Sequence, residues 1–338
     1  MVLISLKRLF YSIPTLFFIS LLVFLSIRLL PGDPVDFLLG EKGRSPEARA
    51  QLEENLGLNK PLYVQYFLFV SQALKGDLGR STATGQKVSE EFFSRFPATL
   101  ELAVSSVFLA LLLGIPLGIL CALLHNSVWD RLVMGLSLTG YSMSIFWWGL
   151  ILILFFSIQL EWTPTSGRIG LYYDIPHYTG FILIDAFRME DPWISIKSFL
   201  SHLILPTLTL ATIPFVSFVR MTRSSLIETL HEDFVRTARA KGLSFYTVVV
   251  KHAFRNALLP VVTVIGFMFS SLITGAVLTE TVFAWPGIGR WLVKAVEARD
   301  YPALQGGILI ISVLVVLINL LVDLSYIKLD PRVQKGIG

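Results

Sequence analysis

Cysteine is nearly missing from this chain. The single Cys121 sits inside an apolar run, which excludes an internal disulfide and a thiolate zinc cluster. Charge is scarce as well: 15% of the 338 residues are Asp, Glu, Lys or Arg, against 54% hydrophobic. A soluble domain of this length cannot bury so much apolar surface in one core, so the composition points to the bilayer as solvent. The net charge of +4 is modest and its basic residues are scattered among apolar runs, which argues against a nucleic-acid partner. Also missing are the phosphate loop G-x-x-x-x-G-K-[ST], the zinc helix H-E-x-x-H and the nucleophile turn G-x-S-x-G. The five histidines, His125, His177, His202, His231 and His252, fall in separate loops or span ends without ligand spacing. Neither an enzyme nor a metal site is expected.

What is present is a set of long apolar runs. Crossing about 30 Å of hydrocarbon at about 1.5 Å per residue takes roughly 20 residues. Six stretches meet that requirement, at approximately 9–30, 98–124, 132–158, 202–221, 257–281 and 305–327. Runs of this length lack the alternation of barrel strands, so an all-α integral membrane protein with about six transmembrane helices is expected. Lys7 and Arg8 ahead of the first run resemble a signal peptide. That run is too long for a signal core and meets Pro31-Gly32-Asp33-Pro34 without a small-residue cleavage site, so it reads as a retained helix.

Basic residues gather in the segments that a cytoplasmic N-terminus would place inside, with Arg223, Arg236, Arg239, Lys241, Lys251 and Arg255 in one loop. Glu41, Glu47, Glu53, Glu54, Asp77, Glu90 and Glu91 fall in the first outer segment, and Glu190 and Asp191 in the second. The expected organisation is residues 1–30 as N-terminus and first helix, 31–97 as an extracytoplasmic subdomain, 98–327 as a five-helix core and 328–338 as a cytoplasmic tail. The core contains a cytoplasmic loop at 222–256.

Ionisable groups at membrane depth are costly, which makes Glu101, Glu280 and Asp323 candidates for a pore or gate, with interfacial placement as the plainer alternative. Prolines at 14, 116, 206, 214 and 260 favour kinks, and glycines at 114, 118, 140, 266 and 275 permit close helix approach. The inner loop is the most informative stretch. It splits at Gly242-Leu243-Ser244, where one helix ends on glycine and another begins on a serine cap. Before the split Leu226, Leu230, Phe234 and Ala238 recur every four residues as an apolar stripe. From periodicity alone such a helix either docks on a partner or rests among headgroups.

At this loop the sequence resembles the membrane permeases of the dipeptide, oligopeptide and nickel branch of bacterial ATP-binding-cassette importers. The likeness covers nearly the whole chain: LLPGDP at 29–34, GDLGRS at 76–81, FPATLELAVSS at 96–106, SLTGYSMSIFWWG at 137–149, VRMTRSSLIETLHEDFVRTARAKGLS at 219–244, HAFRNALLPVVTVIG at 252–266 and LTETVFAWPGIGRWL at 278–292. The resemblance implies a type I importer permease fold. It implies a coupling helix built from Leu230, Asp233, Phe234, Arg236, Ala238, Arg239 and Gly242 that sits in a groove of an ATP-hydrolysing subunit. Against the general importer pattern Glu-Ala-Ala, three residues, then Gly, the chain keeps Ala238 and Gly242 but has Arg236 and Thr237 in the first two places.

The resemblance further implies a second permease subunit, one or two cytoplasmic ATPase subunits and an extracytoplasmic peptide-binding protein. ATP and magnesium would be bound on the ATPases, with no cofactor on this chain. The expected location is the bacterial inner membrane, and the expected cargo is dipeptides or short peptides. Nickel, haem and longer oligopeptides are alternatives within the family, and a stand-alone ion-coupled carrier or channel is the alternative outside it.

Overall fold

The computed structural model describes residues 2–29, 59–170, 178–189 and 191–329, with the side chains of 2–11, 26–29 and 323–329 left aside. Residues 30–58, 171–177, 190 and 330–338, which include Glu41, Glu47, Glu53, Glu54, His177 and Glu190, lie outside the described residues. The helices are α1 (Val2–Leu29), α2 (Leu62–Leu74), α3 (Val88–Leu123), α4 (Val128–Ser142) and α5 (Ile145–Leu152), which runs on as a π-helix over Ile153–Gln159. After them come α6 (Ile182–Asp185), α7 (Pro192–Leu230), α8 (Asp233–Ala240), a π-helical stretch Thr247–Phe254, and α9 (Arg255–Gly275). The chain closes with α10 (Val277–Val282), α11 (Ile288–Glu297) and α12 (Tyr301–Leu329). No strand occurs among the described residues beyond an isolated antiparallel bridge between Arg80 and Lys87.

Val88–Leu123, Pro192–Leu230, Thr247–Gly275 and Tyr301–Val322 are long and apolar enough to cross a membrane. At 28 residues α1 rises about 42 Å, also sufficient. The remaining span departs from expectation. The sequence over 132–158 reads as one uninterrupted helix, but α4 and α5 meet at 103°. Met143 (φ −78°, ψ 139°) and Ser144 (φ −64°, ψ 129°) are extended there, so the corner is made by two non-helical residues rather than by a proline. The Ser142 hydroxyl donates to the Leu138 carbonyl at 3.0 Å, and the Ser144 carbonyl accepts from the Trp148 N–H at 2.9 Å. The Ser144 bond is the ordinary first bond of α5, so the corner rests on the extended backbone of these two residues, which hydropathy does not register.

Two compact units are present. One comprises Ala98–Pro286 with Ile318–Gly338, and the other Val2–Pro97 with Gly287–Leu317. In the first unit α7 is the central helix, packed by α4, α5 and α9. At Gly118, a side chain would meet the Thr222 Cβ at 2.7 Å and the Val219 carbonyl at 2.8 Å, and Gly114 faces the Phe218 Cβ at 3.1 Å. This small-residue stripe brings the backbones of α3 and α7 together, the packing that lipid favours because it supplies no hydrophobic drive between helices. In the second unit Trp291 of α11 donates its Nε1–H to Glu91 at 2.9 Å and meets the Phe92 ring edge-on. Asp300 caps α12 by accepting from the Ala303 N–H at 3.1 Å, and its other oxygen accepts from the Ser81 hydroxyl.

Gly118→Leu is expected to lower the thermal midpoint of the purified complex, at a cost of about 1–3 kcal/mol from overpacking. Gly135→Ala, where nothing lies within 4 Å of the added methyl, is expected to leave it unchanged or slightly raised.

Candidate functional site

The loop after α7 does not continue as one helix. His231 (φ −90°, ψ −8°) ends α7, Glu232 (φ −67°, ψ 149°) is extended, and α8 restarts at Asp233. The four-residue stripe is therefore corrected: Leu226 and Leu230 belong to α7, and the break shifts the helical phase of α8 relative to them. Val235, with no exposed surface, turns inward beside Ala238, while Phe234 faces out. Periodicity missed Val235 because it assumed an unbroken helix. Val235 and Ala238 seat α8 on Ala122, Leu226, Val248, Ala253 and Ala257, with Leu230, Ile227 and Phe254 around the edge.

Gly242 (φ +77°) stops α8 in the left-handed conformation that glycine adopts without strain. Its N–H donates to the Arg239 carbonyl at 3.0 Å, and the Lys241 N–H to the Thr237 carbonyl at 3.1 Å. Ser244 then caps the π-helical stretch, accepting from the Thr247 N–H at 3.3 Å. The break and the serine cap are thus where the sequence puts them.

The outward face of this hairpin is aromatic and basic. Tyr246 is 73% exposed and Phe245 65%, with Phe234 and Leu243 also open. Asp233, Arg236, Arg239 and Lys241 are exposed around them. The Asp233–Arg236 pair at 3.4 Å is solvated and adds little stability, so these charges remain available to another surface. Aromatic and arginine side chains are the types enriched at protein interfaces.

A half-buried ion pair, with Asp130 buried and Arg223 partly exposed, ties α4 to α7. Asp130 accepts from Arg223 Nε at 2.6 Å and Nη2 at 2.7 Å, a bidentate fork. It also accepts from the Asn126 N–H at 3.0 Å, and its own N–H donates to the Ser127 hydroxyl at 3.1 Å. Sequence reasoning places Arg223 among the loop charges and misses Asp130. Its only signal is an acidic residue three positions after Ser127, at a helix start.

The three membrane carboxylates have different surroundings. Glu101 accepts from Arg168 Nε at 3.1 Å and from the Ile182 N–H at 2.8 Å, and Arg168 also donates to the Gly180 carbonyl at 2.7 Å. Glu101 thereby anchors the loop after α5 and the start of α6. Glu280 is wholly buried and accepts from the Thr99 hydroxyl at 2.6 Å. Beside it the Trp285 Nε1–H donates to the Ala98 carbonyl at 2.8 Å. Asp323 lies in α12 beyond the described side chains.

In the loop between α5 and α7 Asp185 is buried, which pushes its carboxyl up. Donation from the Thr179 hydroxyl at 2.8 Å, the Thr179 N–H and the Gly180 N–H outweighs this and holds it below the ordinary carboxylate range. A depressed folded value stabilises the loop above the unfolded carboxyl's range, and this contribution disappears as pH falls through the folded value.

A cavity of about 700 Å³ opens at the bend, between α3, α4, α5 and α7. Leu113, Gly140, Met143, Trp148 and Phe215 are among its walls. Its hydroxyls come from Ser137, Thr139 and Thr212, and no charged residue lines it. Such a surface accepts varied apolar groups and has little with which to select a charged or hydrogen-bonding cargo.

Comparison with known proteins matches residues 114–335 to the family described as binding-protein-dependent transport system inner membrane component, and residues 1–103 to the N-terminal membrane component of such systems. The di/tripeptide transport system permease protein DppB of Pseudomonas aeruginosa is 51% identical over 97% of both chains. The dipeptide transport system permease protein DppB of Escherichia coli K12 is 48% identical over 97% of this chain and 98% of its own. A chain of the MetNI methionine ABC transporter, solved in inward-facing form, shares the fold at a TM-score of 0.52 and 17% identity, covering 69% of this chain and 93% of that one.

Arg223→Met is expected to leave the buried Asp130 without its cation, costing about 3 kcal/mol, and Asp130→Leu with Arg223→Met to restore most of it. Thermal unfolding of the purified complex measures both.

Proposed function

Because this chain belongs to the family of binding-protein-dependent transport system inner membrane components, we propose that it forms half of a pore that carries dipeptides or short peptides into the cytoplasm. As a member of that family it is a multi-pass membrane transport subunit and not an enzyme. The peptide cargo is supported by relatives at 48% and 51% identity that are named for dipeptide and di/tripeptide transport and align over nearly their whole length.

The observation that carries the mechanism is the α8 hairpin. One face is fixed by Val235 and Ala238, and the other displays Phe234, Phe245, Tyr246, Arg236 and Arg239. We read it as the coupling helix, received by a cytoplasmic ATPase that binds ATP and magnesium. Both termini are then cytoplasmic, in keeping with the basic residues of this loop. A second, homologous permease completes the pore, and an extracytoplasmic binding protein supplies the peptide and its selectivity. The apolar cavity supports this division of labour, since its walls offer few groups for choosing among peptides. Work enters when the ATPases close and open, and α8 transmits that movement into α7 and α9 as a rigid body.

Reconstitution tests the proposal. With both permeases, the ATPases and the binding protein in proteoliposomes, labelled dipeptide uptake is expected to require ATP. Uptake by the permeases without ATPase would establish the carrier alternative instead. Ala238→Glu, which forces a charge into the α8 seat, and Gly242→Pro, which removes the left-handed stop, are each expected to cut uptake by about tenfold or more, equivalent to ~1.4 kcal/mol of coupling. Membrane insertion of both variants is expected to be normal, and full uptake with normal ATPase stimulation would overturn the coupling assignment.

A further inference from the structure

Thirteen residues rise only about 20 Å, too little to cross the hydrocarbon, so α2 reads from sequence as part of the aqueous outer segment. Its composition argues otherwise. Leu62–Leu74 reads LYVQYFLFVSQAL without a charged residue, and Lys60 and Lys75 stand just beyond its ends.

One face of α2 is fixed on α1. The Tyr66 and Ser20 hydroxyls share a hydrogen bond of 2.8 Å, and the Ser20 hydroxyl also lies 2.8 Å from the Phe17 carbonyl. The Tyr66 ring meets Phe17 and Phe24 edge-on, with centroids 5.9 and 5.3 Å away, and Phe69 lies 6.0 Å from Phe24.

Ser20 sets the depth of this contact. It stands twelve residues after Arg8 and eight before Arg28, the charges that bracket the apolar stretch of α1. Along a helix those intervals are roughly 18 and 12 Å. With that apolar stretch spanning the bilayer, Ser20 and the Tyr66 hydroxyl bonded to it fall at hydrocarbon depth, where a hydroxyl needs a protein partner. Ser20 and Tyr66 supply each other's.

The opposite face of α2 is apolar and open. Tyr63 is 67% exposed, Phe67 69% and Leu74 83%. Ser71 falls in the same stripe, and its hydroxyl donates back to the Leu68 carbonyl at 2.8 Å, so it asks nothing of water. α1 itself exposes Ile13, Phe17, Phe18 and Leu25, the surface that a spanning helix turns to lipid.

The geometry points to α2 as a half-depth membrane helix, lodged against α1 in the leaflet at the Arg28 end, with Tyr63, Phe67 and Leu74 in contact with acyl chains. The chain is then held in the bilayer at a point between α1 and α3.

The assembled complex provides the test, because Cys121→Ala leaves a chain without thiols. On that background Phe67→Cys and Tyr63→Cys are compared with Thr82→Cys, an exposed loop position, in proteoliposomes made with or without brominated phosphatidylcholine. A membrane-impermeant maleimide is expected to label positions 67 and 63 about tenfold or more slowly than 82, since a thiol in hydrocarbon is not ionised. A fluorescent maleimide attached at 67 in detergent, before reconstitution, is expected to be quenched by the brominated chains. Labelling of 67 by the impermeant reagent as fast as 82 would place α2 in water and overturn the inference. So would slow labelling without quenching, which would mean that protein, from residues 31–58 or a partner permease, covers this face.

Discussion

Hydrocarbon offers no hydrogen-bond partner, so every peptide group and hydroxyl at membrane depth has to be answered from within the protein. The rest of this structure depends on that constraint. It explains why serines and threonines of the spans turn back on their own helices, as Ser106 does to the Leu102 carbonyl at 2.7 Å and Thr209 to the Leu205 carbonyl at 2.8 Å, whereas the buried hydroxyls of Thr207, Thr222 and Thr279 are the exceptions among the described residues. It explains why Glu101 and Glu280 are held by named donors. It also makes the corner at Met143-Ser144 informative, because an interrupted helix in lipid is tolerated only where protein or a water-lined hollow surrounds it. Here the break adjoins the cavity between α3, α4, α5 and α7.

Much of the architecture is readable from hydropathy, because length and apolarity set the number of spans whatever their packing. The helix stop at Gly242 and the cap at Ser244 are readable for a different reason: each depends on the chemistry of one residue. What escapes is whatever depends on phase or on distant partners. The stripe through Phe234 fails because two residues, His231 and Glu232, leave the helix and rotate the register of everything after them. The bend at Met143 escapes because serine and methionine carry no strong breaking signal. Asp130 and Arg223 are 93 positions apart, and nothing local in either stretch announces the other.

The α8 hairpin illustrates how rigidity is obtained without a large core. Its helix has only eight residues, too few to persist alone. Its stability comes from the seat formed by α7, the π-helical stretch and α9, and from chain reversals at both ends. Asp130 and Arg223 extend the same fixation toward the bent span, since the fork defines the distance and orientation between α4 and α7. A displacement delivered to the outward face of α8 therefore has stiff elements on which to act.

The makeup of that seat has a wider consequence. Ala122, Ala238, Ala253 and Ala257 meet there beside Leu226, Val235 and Val248, so much of the seat is built from single methyl groups. Large side chains can change rotamer to absorb a strain or a substitution, whereas an alanine has no rotamer to change. The permissible evolutionary steps at this seat are correspondingly few. The exposed aromatic and basic side chains lie outside that seat, so one short hairpin combines a part that is costly to alter with a part that tolerates substitution.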